Sequence, residues 1–472
     1  MPQLETKTPA VERDLALPPL GRTVQSPRYG GRNTGYTYPS WRDISTTVAA
    51  FLWRQLIELR QGGLRVVLGK IRSLAESIVA VPFVLIVRLI RPLVLIRFGG
   101  LLTGGMATDY MMEIHLCERD AGLHGPRVLD LFCCGPIVVN QQLKMMWERI
   151  VHFSRFARAA ERVNRFLPGG VRHKMPWARI PMDVHGLIPR TKPHLSFTPE
   201  EERRGWAELR ALGISDGVPF LCVNARDPAY KARLAPHETK YMQVYRDTVI
   251  NTYVPMAETM VRRGYIAIRM GATVQKPLRT GNPRIIDYAT TARTEFLDVF
   301  LCAHCRFFLG DSAGLYALPL IFRRPIAVVN YVSLQYLMFS ADPRGIFITK
   351  KFWLRDERRF MTFREILESG AGRFLRADLF EQYGIELIDN TPEEITAVAV
   401  EMDERIKGTW RTTEEDEKLQ ARFWVLFADE LSGRPTHVRI GAEFLRQHRA
   451  LLNGTEDVRG QAVGATLAGL SD

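Results

Sequence analysis

Three apolar runs in this sequence end in residues suited to holding an anion. PFLCVNARD (219–227) closes on Asn224, Ala225, Arg226 and Asp227. YIAIRMG (265–271) closes on Arg269, Met270 and Gly271. RFFLG (306–310) runs from Gly310 straight into Asp311, Ser312, Ala313 and Gly314. A guanidinium offers charge-assisted, bidentate bonds to a diphosphate. Glycines let the backbone approach an anion closely, and amides at the start of a helix bind phosphate. Ser312 adds a hydroxyl donor. Taken alone, Gly310, Ser312 and Gly314 also suit an ordinary tight strand-to-helix turn. Taken together, the three endings describe one site for a phosphorylated ligand.

They converge only if the runs are parallel strands of one sheet, since ligands of open α/β sheets bind outside the carboxyl ends of the strands. The pattern predicts this. Apolar runs at 219–224, 265–270, 284–288, 306–310 and 325–330 alternate with helical stretches at 247–264, 294–305 and 312–322. That is the signature of a doubly wound parallel sheet. The unit opens at Thr198, Pro199 and Glu201, which spell a helix cap, a first-turn proline and a capping box. Thr391, Pro392 and Glu394 repeat the code. A smaller α/β unit precedes it, with strands at 92–99 and 127–135, a helix over 106–118 and another near 140–150. Residues 166–197, rich in Pro, His and Arg, read as a linker or substrate-facing loop. A helical, amphipathic stretch over 412–452 packs back on the body.

The chain of 472 residues carries 64 Lys+Arg against 51 Asp+Glu, a net charge of +13. Such a balance calls for an anionic partner. Eight basic and two acidic residues fall between Arg54 and Arg97, beside the apolar run Ser77–Val87. That run is short of the roughly 20 residues a spanning helix needs, so the segment reads as interfacial, on an anionic membrane surface. The alternatives are a buried helix pair and a membrane hairpin. The expected organisation is a disordered tail (1–48), a basic amphipathic membrane-associated segment (49–91), a first Rossmann-like domain (92–197), a second (198–408), C-terminal helices (409–452) and a second tail (453–472). Six cysteines in this length exclude a disulfide scaffold and suggest a reducing compartment. The residues after Met1 lack the pattern of a cleavable secretory signal. The expected location is therefore cytoplasmic, peripheral on the inner face of the membrane.

Other chemistries fit less well. Gly310–Gly314 resembles a serine nucleophile elbow, but that needs an acid and a histidine in order after the serine, and His437 and His448 lie in solvated helices. Cys302 and Cys305 lack the second ligand pair a structural zinc requires, so packing explains them. No D-x-D follows a strand to hold a metal diphosphate. Nucleic-acid binding predicts a basic stripe with interleaved aromatics on the folded body, whereas the charge here sits beside apolar segments.

The run Tyr245-Arg246-Asp247, Asn251-Thr252-Tyr253, Pro255-Met256-Ala257, Gly264-Tyr265 and Arg269-Met270-Gly271 resembles a bacterial family of glycosyltransferases associated with surface-polysaccharide loci. So do Ile286–Ala289, Asp298–Cys302, Phe307–Leu315, Arg324-Pro325-Ile326, Glu415–Glu417, Phe423-Trp424 and Phe444–Arg446. The likeness covers roughly residues 85–452 and is strongest over 220–332. It implies a two-domain GT-B architecture, with a nucleotide-diphosphate sugar on the second domain and a glycan or lipid-linked acceptor on the first. More distantly, Asn224–Asp227 with Gly310–Gly314 is similar to the donor site of fucosyltransferase-type enzymes, where a strand-end arginine holds the β-phosphate and a serine-containing turn the diphosphate. Here Pro228-Ala229-Tyr230-Lys231 replaces the usual aromatic or charged neighbour of the Arg-Asp pair, which makes Lys231 a further candidate phosphate contact.

The resemblance implies transfer without metal or other cofactor. Arg226 would stabilise the leaving diphosphate, aided by Asn224, Asp227, Arg269, Gly271, Gly310, Asp311, Ser312, Ala313 and Gly314. An inverting reaction also needs a base for the acceptor hydroxyl. Asp109, Glu113 and His115, grouped on one predicted helix of the first unit, are the candidates. The rival expectation is a non-catalytic, membrane-associated scaffold of a polysaccharide assembly complex.

Overall fold

The chain forms two units, 1–74 and 75–472. The computed structural model describes residues 67–101, 106–135, 138–175, 182–234, 244–427 and 436–452. Both expected tails and residues 49–66 of the basic segment lie outside these. Of the first unit, residues 67–74 are described and are helical.

The second unit opens with helix α1 (75–89). Ala80, Val84 and Val87 recur at helical spacing and are buried against Ile96, Phe98, Ala159, Ala160 and Val163. The opposite face leaves Ile78, Val79, Leu85, Ile86 and Leu89 exposed, and Leu93 just beyond continues it. Among the described residues no helix is long and apolar enough to cross a membrane. Arg88 does not reach outward as the interfacial reading would place it. It donates to the Pro168 carbonyl at 2.6 Å and to Asn164 Oδ1 at 2.9 Å.

Strand β1 (Leu95–Leu101), helix α2 (Met106–Asp120) and strand β2 (Val128–Cys134) follow, and β1 and β2 pair in parallel. Helices α3 (Gln141–Glu148) and α4 (Arg155–Phe166) begin on Asn140 and Ser154, whose side chains accept amides of the first turn. The main sheet is built from β3 (Phe220–Asn224), β4 (Ile266–Arg269), β5 (Ile285–Ile286), β6 (Phe307–Gly310), β7 (Ile326–Tyr331), β8 (Ile346–Thr349) and a late strand at Arg439–Ile440. Its order from one edge is β5-β4-β3-β6-β7-β8, with Arg439–Ile440 beyond β8, and all its pairs are parallel. The order reverses between β3 and β6, which is where open α/β sheets form their ligand crevice. β9 (Lys351–Leu354), β10 (Arg359–Phe360) and β11 (Ile385–Ile388) form a separate antiparallel sheet, and Arg439–Ile440 is β12.

The capping codes are realised. Thr198 and Glu201 form a reciprocal box on helix Pro199–Ala211, and Thr391 with Glu394 does the same on Pro392–Lys407. Cys302 and Cys305 are free, fully buried core residues, as packing predicts.

Two expected helices are broken. Residues 247–264 become 3-10 turns and a shorter helix, Val254–Arg262. The Thr248 amide donates to the Arg226 carbonyl at 3.2 Å and its hydroxyl to Asp311, so this stretch is held by the neighbouring strand ends instead of its own turns. The 412–452 stretch splits into helix Glu414–Leu426, β12 and helix Ala442–Gln447. The Arg439 and Gly441 amides bond to Gly345 and Phe347, which draws the segment into the sheet edge.

Candidate functional site

At the reversal point Asn224 of β3 pairs in register with Gly310 of β6. The two backbones approach so closely that a Cβ on Gly310 would stand 2.8 Å from the Asn224 carbonyl oxygen. Glycine is therefore required there by space. The chain beyond each strand then supplies the expected groups.

Asp311 is fully buried. It accepts the Arg226 amide at 2.5 Å and the Thr248 hydroxyl at 2.6 Å through Oδ2, while Oδ1 is buried without a partner. Burial pushes its carboxyl up to about 6 despite these donors. The Arg226 guanidinium pairs with Asp247. Burial, with Arg246 nearby, brings Arg226 down to about 10. Ser312 is buried and no hydrogen bond involves its hydroxyl among the described residues. Gly314 starts the 3-10 turn Gly314–Tyr316, whose first residues have no side-chain cap, and Ala313 precedes it in extended conformation.

Other predicted residues are engaged elsewhere. Arg269 is buried and donates to Asp287 at 2.8 Å; Asp287 also accepts the Leu278 amide. Asp227 accepts the amides of Ala229 and Gln275, fastening the start of helix Pro228–Leu234 and the loop after β4. Gly271 lies in that loop, where a Cβ would meet Val274 at 2.7 Å. The Asn224 amide group donates to Met270 O at 3.3 Å.

The structure adds groups that sequence reasoning did not select. Lys350 follows β8, is buried, and places Nζ 2.7 Å from Asp389 and 3.4 Å from the Asp247 carbonyl. Arg246, on the turn Val244–Arg246, lies close enough to Arg226 to lower its affinity for a proton. The apolar run IFIT ahead of Lys350 is a strand signal that would have found it. Arg226, Arg246 and Lys350 thus gather around Asp247 and Asp311 at one edge of the sheet. Polar support surrounds them: the Tyr253 hydroxyl reaches Thr248 and Asn330, and Asn330 exchanges amide bonds with Asn390.

Helix α2 packs against the Gly314–Tyr316 turn and helix Ala317–Ile321, which brings the first α/β segment beside the serine turn. Its three candidate bases are distinct. Asp109 is buried, accepts Trp147 Nε1 at 2.9 Å, and burial pushes it up to about 8. Glu113, wholly buried, accepts Arg323 Nη2 at 2.6 Å and the amide and ring of His194 at 3.2 and 3.1 Å. His115 lies 2.8 Å from Asp130, which Arg97 clamps through two bonds of 2.7 and 2.9 Å. Among the described residues, neither Asp109 nor Glu113 bonds to the cationic cluster.

No family model matches the chain, and no curated protein matches it. Among solved structures it is similar to a glycosyl transferase family 9 protein from Veillonella parvula, at 10% identity and a TM-score of 0.33, over 54% of this chain and 86% of that one. That degree of likeness fixes neither fold nor activity.

Proposed function

We propose that this chain is a glycosyltransferase that takes a sugar from a nucleotide-diphosphate donor without a metal ion. The observation that carries the reading is the gathering of cations at the carboxyl ends of β3, β6 and β8. There Arg226, Arg246 and Lys350 converge around Asp247 and Asp311, the residue before Ser312, and Arg246 lies near Tyr316 of the uncapped Gly314–Tyr316 turn. As the sugar–phosphate bond breaks, charge grows on the leaving diphosphate, and preorganised cations and amides stabilise it. Asp247 and Asp389 neutralise Arg226 and Lys350. A diphosphate would take their place.

The acceptor would approach from the α2 side in a GT-B-like arrangement, as the sequence resemblance implies. Of the three candidate bases, Asp109 suits the role best. It stands in the first turn of the helix that packs beside the serine turn, and burial raises its carboxyl to about 8, which makes the ionised fraction present near neutral pH a stronger base than an ordinary carboxylate. Glu113 and His115 are committed to Arg323 and Asp130. The exposed apolar face of α1 supports a peripheral position on a membrane whose inner leaflet carries a lipid-linked acceptor.

The test is binding of UDP-, GDP-, CMP- and dTDP-sugars to the full chain by thermal shift. Ligand at about a hundredfold excess over Kd adds about 2.7 kcal/mol to the native state. One nucleotide should raise the midpoint, and Arg226→Ala should abolish the rise. Silence across the panel, or an undiminished rise in Arg226→Ala, rejects the donor site.

A further inference from the structure

On the far part of α2, three histidines and a glutamate face one another. His115 and Glu118 are one turn apart on the helix, the turn after it returns His124, and the 182–187 loop brings His185. His124 Nε2 lies 3.3 Å from Glu118 Oε2, and His185 Nε2 lies 4.0 Å from Glu118 Oε1. One ligand atom from each of His115, Glu118 and His124 falls within 4.8 Å of the others. His115 and His124 stack with ring centroids 4.5 Å apart. His124 Nε2 is buried and makes no hydrogen bond, although Glu118 is beside it.

We propose that His115, Glu118 and His124, with His185 as the outer fourth ligand, bind one divalent first-row transition ion of the zinc type. Two ligands about 2.0–2.1 Å from a tetrahedral zinc stand about 3.3 Å from each other. That is the separation of His124 Nε2 and Glu118 Oε2, an approach that lacks hydrogen-bond geometry and is natural for two ligands of one ion. Imidazole and carboxylate donors suit zinc and its neighbours better than magnesium or calcium. The support behind the site is also in place. His115 Nε2 lies 2.8 Å from the Asp130 carboxylate, and a carboxylate behind a ligating imidazole fixes its tautomer and orientation. Asp183 accepts the Leu187 and Ile188 amides and so shapes the loop that carries His185.

A second triad, Glu113, Cys117 and His194, has comparable spacing. There the Arg323 guanidinium stands 2.6 Å from Glu113 and 3.5 Å from Cys117 Sγ, so a cation already fills it. Among the described residues the ion pairs of Glu118, His124 and His185 are with one another and involve no Lys or Arg, and the cluster takes no part in the proposed transfer chemistry. Its ion would staple the 121–127 turn and the 182–187 loop to α2.

The experiment titrates Zn2+ and Co2+ into the metal-stripped full chain. One equivalent should bind, and the Co2+ adduct should show visible d–d bands without a thiolate charge-transfer band. His124→Ala and Glu118→Gln should each weaken Zn2+ at least ~100-fold, and Asp130→Asn by about 10–100-fold as an outer-shell change. Cys117→Ala should leave affinity unchanged. Circular dichroism identifies variants that fold, and Glu118→Gln serves if His124→Ala does not. The proposal is overturned by absent stoichiometric binding, by undiminished affinity in folded His124→Ala or Glu118→Gln, or by a thiolate–cobalt band.

Discussion

Removing Arg323 should be among the most damaging single changes to this protein. Its guanidinium bonds the Thr191 and Ile321 carbonyls at 3.0 and 2.6 Å and Glu113 at 2.6 Å, so it ties α2, the 191–194 segment and the end of helix Ala317–Ile321 together. Glu113 is wholly buried and its second oxygen has no partner. Arg323→Met would leave that carboxylate without its guanidinium, and breaking a buried pair from one side costs about 3–5 kcal/mol. Glu113→Gln keeps an acceptor but strands the arginine, at about 1.5–3 kcal/mol. The double variant removes both charges and should cost less than the two together, leaving a coupling of about 2–3 kcal/mol. Equilibrium urea unfolding followed by tryptophan fluorescence measures the cycle. A second readout follows from His194, which hydrogen bonding to Cys117 and then to Glu113 raises to about 10. A raised histidine stabilises fully below its ordinary value near 6.5, and that contribution is lost as pH climbs toward 10. The wild type should lose stability across this window, and Glu113→Gln should flatten the slope. Additive single effects within about 0.5 kcal/mol, together with an unchanged slope, would refute the latch.

Four further outcomes are expected. Lys350→Ala should weaken nucleoside-diphosphate binding about tenfold or more by calorimetry, as expected for a lost hydrogen bond to a charged group. Burial raises Asp311 to about 6, so its protonation removes a negative charge beside Arg226; affinity for a nucleotide-diphosphate sugar, whose diphosphate has no terminal phosphate to titrate near 6, should rise as pH falls through 6, and Asp311→Asn should abolish that dependence. Because the folded value lies above the ordinary carboxyl range, Asp311 should also make the protein gain stability as pH falls from about 6 toward 4, visible as a rising urea midpoint that Asp311→Asn lacks. Gly310→Ala forces a methyl against the Asn224 carbonyl and should cost about 1–3 kcal/mol, measured by the same unfolding assay.

What could be read from the sequence follows the range of the forces involved. Helix starts were legible because a cap and its partner lie three residues apart, as at Thr198 and Glu201 or Thr391 and Glu394. The apolar strands and their glycine-rich ends were legible for the same reason, and the sheet brings Arg226 and the Gly310–Gly314 turn to one edge. Long-range partners were not. Arg269 ends a strand as Arg226 does, yet Asp287 on the neighbouring strand's continuation claims it. Arg323 and Glu113 are 210 positions apart, and nothing local announces their bond. The β9–β11 pair joins segments separated by a helix-bearing excursion, so nothing local announces it. Strand β12 was hidden inside a helical pattern, since its two residues become a strand only by meeting β8.

That late strand sets a timetable for biogenesis. β8 is complete at Thr349, but its outer edge is covered only when Arg439 and Ile440 arrive, about 90 residues later. At roughly 5–20 residues per second, a ribosome takes about 5–20 s to deliver them. Through that interval the nascent sheet presents an unpaired edge of Ile346, Phe347 and Ile348, an adhesive surface in a crowded cell. Slow codons between positions 350 and 440 would lengthen the exposure, so synthesis speed over this stretch should govern how much of the protein reaches its folded state.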